Sequence, residues 1–164
     1  MAELTISNYN NFLQIYTDGS KMEVESSMRV GASFYDPHLN YISKFRFRNF
    51  NSVLTAEVLA IKMALKWILD NDFESENFLI LSDSKSALQA LLSRNPKRQE
   101  LIYSCLETIK QLKERRVILK FQWVPAHVGL VGNEVVDKAA KESLLLHHHD
   151  HRNHNYRISQ SSKI

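Results

Sequence analysis

The chain has 164 residues, 44% hydrophobic and 24% charged, a length and balance that suit one globular domain with a sizeable core. No apolar run approaches the ~20 residues of a membrane span, and the start MAELTISNYNN lacks the basic-then-apolar pattern of a secretory leader. The single cysteine, Cys105, excludes an internal disulfide, so an intracellular, reducing setting is expected. The formal charge is +3, but Arg152, Arg157 and Lys163 against Asp150 lie beyond Leu146, which leaves the body near +1. Any nucleic-acid reading must therefore rest on where the charges sit.

Phe12 to Tyr16 is a short apolar run followed by Asp18-Gly19-Ser20, and reads as a strand ending at Asp18. Met28 to Tyr35 is a second strand, stopped by Asp36-Pro37. In YISKFRFRNF, Ile42, Phe45 and Phe47 alternate with Lys44, Arg46 and Arg48, which makes a third strand with a basic stripe; such a stripe is more often a solvated face than a binding surface. Short connections make these three an antiparallel meander.

A helix follows from Ser52 to Asp70, with Leu54, Val58, Ile61, Leu65 and Ile68 on one stripe and Glu57 beside it. Phe78 to Leu81 is a fourth strand leading to Asp83, and Ser84 to Leu92 a short helix broken at Asn95-Pro96. Lys97 to Arg115 is a longer helix with Leu101, Cys105, Ile109 and Leu112 on one face, and Val117 to Val124 a fifth strand. Gly132-Asn133 opens a last helix carrying Val136, Ala139, Ala140 and Leu144. The order βββαβααβα predicts an α/β fold with a mixed five-stranded sheet and helices on both faces. Residues 1–146 form the domain. The His-rich 147–164, with His147, His148, His149, His151 and His154, has no periodicity, reads as a disordered tail, and is at most a weak, unselective metal binder.

If strands 1 and 4 are parallel neighbours, Asp18 and Asp83 emerge at one sheet edge, where open α/β sheets place their sites. Glu57 can lean across that edge from the crossover helix, and Asp137 lies early in the last helix. Each acid alone is more simply a turn or cap residue. Four together cannot all ionise without countercharge, and hard divalent cations are the natural compensation.

The segments YTDGS, TAE, LSDS and WVPAHVGLVGNEVVD resemble, in order and approximate spacing, those of type 1 ribonuclease H, over roughly Phe12 to Glu142. The wording WVPAHVGLVGNE is most similar to such domains of retrotransposons without long terminal repeats. The resemblance implies a ribonuclease H-like fold and hydrolysis of the RNA strand of RNA–DNA hybrids by two Mg²⁺ ions, with Mn²⁺ as a substitute, leaving 3′-hydroxyl and 5′-phosphate ends. It implies that Asp18 bridges the ions, Asp137 completes the one on the water side, and Glu57 and Asp83 hold the one on the leaving side. His127, ten residues before Asp137, matches the loop histidine that assists proton transfer or product departure. Gly19, Ser20, Ser84 and Asn133 match positions suited to substrate contacts, and Glu134 one in the outer metal shell.

Two departures stand out. The basic helix that some cellular members use to grip the hybrid is missing, since only Ser93 to Pro96 separates the second and third helices. Lys97-Arg98 or the third-strand stripe are the remaining phosphate contacts, and a monomer leaning on a fused or partner reverse transcriptase is expected. Val136 also stands where retroelement members usually have alanine, an added volume that is either absorbed or tilts the helix. The rival readings are a catalytically decayed hybrid- or RNA-binding module, disfavoured by the intact acids, and a transposase or integrase, disfavoured by the fourth acid and the His127 loop.

Overall fold

The computed structural model describes residues 7–24, 26–47, 52–93, 100–146 and 154–157. After a 3₁₀ turn at Ser7–Tyr9 come β1 (Leu13–Val24), β2 (Ser27–Asp36), β3 (Tyr41–Phe47), α1 (Val53–Asp70), β4 (Asn77–Ser82), α2 (Lys85–Leu92), α3 (Glu100–Glu114), β5 (Ile118–Trp123) and α4 (Val131–Ser143). The five predicted strands and four predicted helices are all present, in the predicted order. A sixth strand, β6 (His154–Arg157), pairs antiparallel with β3 in the segment where the sequence suggests no element.

The sheet order is β5-β4-β1-β2-β3-β6. β1 and β2 are antiparallel, as are β2 and β3, whereas β1 runs parallel to β4 and β4 to β5. The β1–β4 register ends with Thr17 opposite Ser82. Asp18, still within β1, and Asp83, just past the end of β4, are the next residues along the chain, so the expected juxtaposition holds.

One expectation about β1 does not hold. The strand does not stop at Asp18-Gly19-Ser20 but continues to Val24, paired with β2 as far as Val24–Ser27. Turn-forming residue types yield here because a continuous ladder to β2 satisfies their backbone groups. The reversal comes later, beside Ser26 with φ 60°.

α1 and α3 pack on one face. Ile15, Phe34, Val58, Ile61, Leu65, Ile68, Ile80, Cys105 and Leu112 share a core there, each large aliphatic side chain contributing about 1.5–3 kcal/mol on burial. Leu54, predicted for the same stripe, is 40% exposed, one turn too early to reach the sheet. Cys105 is buried, and its thiol is pushed up to about 11 by burial, as fits a structural rather than a nucleophilic role.

α4 covers the other face. Val136 packs with Tyr16, Leu79, Leu81 and Val124, all buried, so its added volume is absorbed. Gly132 lies flat on Tyr16, where a Cβ would come within 2.3 Å of the ring. At the far end of α4, Arg29 donates to the Leu144 carbonyl, Lys44 pairs with Glu142 and Arg46 donates to the Leu146 carbonyl. Lys44 and Arg46 therefore fasten α4 rather than form a solvated stripe. Ile42 shares their parity and face, not that of Phe45 and Phe47, which pack with the other cores. Arg48, Lys97 and Arg98 lie outside the described residues.

Candidate active site

Carboxylate oxygens of Asp18, Glu57 and Asp83 lie within 4.8 Å of one another. β1 supplies Asp18, the residue after β4 supplies Asp83, and the second turn of α1 supplies Glu57. Gly19 makes the approach possible: a Cβ there would sit 2.5 Å from the Glu57 nitrogen and 2.6 Å from the Ala56 carbonyl carbon. With no side chain in between, the α1 backbone rests directly on β1. Glu57 is thereby buried next to Asp18, which is itself only 5% exposed.

Burial raises the Asp18 carboxyl to about 7, with Asp83 and then Asp137 pushing the same way. Glu57 is driven to about 9, again chiefly by burial, then by Asp18 and Asp83. The Gly19 backbone N–H opposes both shifts. Desolvation and mutual repulsion thus make these carboxyls costly to ionise together without a countercharge.

The fourth acid stands apart. Asp137 acts electrostatically on Asp18 from α4 but is not one of the three clustered groups. Its Oδ2 instead accepts from Lys141 Nζ at 2.6 Å, one turn along the helix. Lys141 is absent from the residues singled out in the sequence, although the i, i+4 spacing of Asp137 and Lys141 is a readable signal.

Asn133 is buried and donates through Nδ2 to Asp83 Oδ2 at 3.3 Å, so it orients a carboxylate rather than facing outward to a substrate. Ser84 caps α2, accepting from the Ala87 N–H at 3.3 Å. Gly19 and Ser20 lie within β1, both partly exposed. The Asp83 carbonyl is held by Trp123, whose indole N–H donates to it at 2.9 Å, with Lys85 Nζ 5.8 Å from the ring centroid. His127 is exposed in the loop before α4 at φ 54°, two residues before Gly129 at φ 79°, and lies outside the carboxylate cluster. Glu134 is exposed in the first turn of α4.

The cluster fits a hard divalent cation. All its donors are carboxylate oxygens, and Glu57 Oε2 is buried with no hydrogen-bond partner among the described residues, as is Asn133 Oδ1 beside Asp83. A buried acceptor left unsatisfied is costly unless something occupies it.

A mixed sheet that gathers carboxylates where the parallel β1–β4 ladder ends defines an α/β domain with an acidic edge site. The chain belongs to the RNase H family, whose model matches residues 10–144. Among solved structures, the foamy viral protease-reverse transcriptase in complex with dsDNA is similar at a TM-score of 0.61 and 16% identity, covering 82% of this chain and 94% of that one. LC9-RNase H1, a type 1 RNase H with the type 2 active-site motif, has a TM-score of 0.59 and 13% identity, covering 82% and 72%. RNase H1 from the halophilic archaeon Halobacterium salinarum NRC-1 has a TM-score of 0.55 and 18% identity, covering 80% and 96%. At these identities the likeness is one of fold.

Proposed function

We propose that the chain is a divalent-cation-dependent endoribonuclease that hydrolyses the RNA strand of RNA–DNA hybrids, leaving 3′-hydroxyl and 5′-phosphate ends. The observation that carries this reading is the convergence of Asp18, Glu57 and Asp83 around the unpartnered Glu57 Oε2. Family membership supports the reaction class, and a structural relative, LC11-RNase H1, was solved in complex with RNA/DNA hybrid.

Asp18, Glu57 and Asp83 would hold one Mg²⁺, and Asp18 with Asp137 a second. Bound there, the ions would supply Lewis acidity and neutralise charge at the scissile phosphate. The residues of the chain do the rest. Asn133 sets the rotamer of Asp83, and the Gly19 N–H favours the ionised forms of Asp18 and Glu57. His127, on an exposed loop, moves a proton or eases product departure. Gly19 and Ser20 contact the substrate, and the RNA strand is told from DNA by its 2′-hydroxyls. The motif wording supports a kinship with retroelement domains, and a fused or partner reverse transcriptase would supply the grip on the hybrid that the missing basic helix does not.

The test is cleavage of an end-labelled RNA–DNA hybrid in Mg²⁺, with EDTA and Asp83→Asn controls. Cutting of the RNA strand alone, lost in both controls, is expected. A folded wild-type chain that binds the hybrid without cutting it refutes the nuclease and leaves a binding module. Cutting of duplex DNA in preference to the hybrid refutes the assigned substrate.

A further inference from the structure

Lys141 holds a singular position on α4. Its ammonium is 2.6 Å from Asp137 Oδ2, and the lysine side chain is 59% exposed while that of Asp137 is 23% exposed. Its charge also acts on Asp18 and Glu134. The other ion pair within the helix, Lys138 with Glu142, is longer at 4.0 Å and lies one residue further round the helix. The fourth carboxylate of the site therefore carries a monovalent cation of the chain's own, on a tether that reaches it from the solvent side. Among the described residues no ion pair is formed by Asp18, Glu57 or Asp83. Lys141 reaches Asp18 only through its longer-range charge, and the charges that act on Glu57 are those of Asp18 and Asp83.

We propose that Lys141 is a tethered competitor for Asp137, so that the site fills in order: a first divalent ion on Asp18, Glu57 and Asp83, and a second only after the Lys141 ammonium has been displaced from Asp137. This rests on the reading of the four acids as cation ligands, and extends it by naming the residue that sets the second occupancy. An exposed pair of this kind is weak, so displacement is within reach of a divalent ion, and the tether shifts rather than blocks the second step. Lys141 is a positioning residue in this scheme and touches no substrate.

The experiment is calorimetric titration of the metal-free full chain with Mn²⁺ and with Mg²⁺, read as binding heats and not as activity. The wild type is expected to bind in a tight and a weak phase. Lys141→Gln, exposed and conservative in size, should leave the tight phase within about twofold and tighten the weak phase roughly three- to fivefold. Lys141→Arg, which keeps a tethered cation, should behave as the wild type, and Asp137→Asn should abolish the weak phase. A weak phase that is unchanged or weaker in Lys141→Gln overturns the proposal while the tight phase still supports the metal site. A single wild-type phase that stays single and unaltered in Lys141→Gln also overturns it. Absence of both phases in the folded wild type overturns the metal site itself, and this proposal with it.

Discussion

Gly19→Ala isolates the contact on which the site depends. In an ordinary strand this exchange stabilises by about 0.4–1 kcal/mol through the unfolded chain, and Gly19 has no positive φ to forbid it. Here the new methyl would lie 2.5 Å from the Glu57 nitrogen, 2.6 Å from the Ala56 carbonyl carbon and 2.8 Å from the Ala56 Cβ. Two of these are backbone atoms of α1 that cannot rotate aside. Relief requires the start of the helix to retreat by about 1 Å, and overpacking of this kind costs about 1–3 kcal/mol. At about 2–4 °C per kcal/mol for a domain of this size, the Tm should fall by roughly 2–12 °C. The same retreat draws Glu57 away from Asp18, and a misplacement of about 1 Å can cost on the order of 10²-fold in rate. Thermal melts, Mn²⁺ titration and hybrid cleavage on one preparation test the chain of reasoning. A variant as stable as the wild type, with metal binding and cleavage within twofold, would refute it.

The raised carboxyls of Asp18, about 7, and Glu57, about 9, mean that the folded chain retains protons the unfolded chain has released. Their contribution to metal-free stability is therefore most favourable below about pH 4 and erodes as pH rises towards 9; urea titrations in EDTA should show that decline between pH 5 and pH 9, and saturating Mg²⁺ should flatten it. Asn133→Ala removes the donor that orients Asp83, so kcat on the hybrid should drop about tenfold or more with KM little changed; a raised KM with kcat intact would instead mark Asn133 as a substrate contact. His127→Ala should slow turnover by about 10²-fold without altering Tm or divalent-ion affinity, because the side chain is exposed and outside the cluster.

Much of this architecture is legible before folding because apolar period and acidic punctuation agree. Val58, Ile61, Leu65 and Ile68 announce α1, and Asp18 and Asp83 mark the ends of the runs that become the β1–β4 ladder. What stayed hidden depends on partners distant in sequence. The extension of β1 through Asp18-Gly19-Ser20 comes from pairing with β2. The resemblance gives Asn133, at the start of the last helix, as a substrate contact, and only the packing of α4 against the sheet turns it inward to Asp83. Ser84 rather than Asp83 caps α2, a choice between neighbours that local propensity does not settle. The Asp137–Lys141 pair, by contrast, has the i, i+4 spacing of a helical ion pair and is legible in the sequence itself.

α4 is secured at both ends, by Gly132 against the Tyr16 ring and by Arg29, Lys44 and Arg46 at its C-terminal turn. Asp137 therefore rides on a beam clamped at two supports, with little freedom to travel toward the other three acids. Any closing of that gap falls to side-chain rotation and not to sliding of the helix. The two basic residues of β3 sit 98 and 100 positions from their partners in sequence, so the aim of the fourth carboxylate is set by a distant strand that contributes nothing to the acidic edge itself.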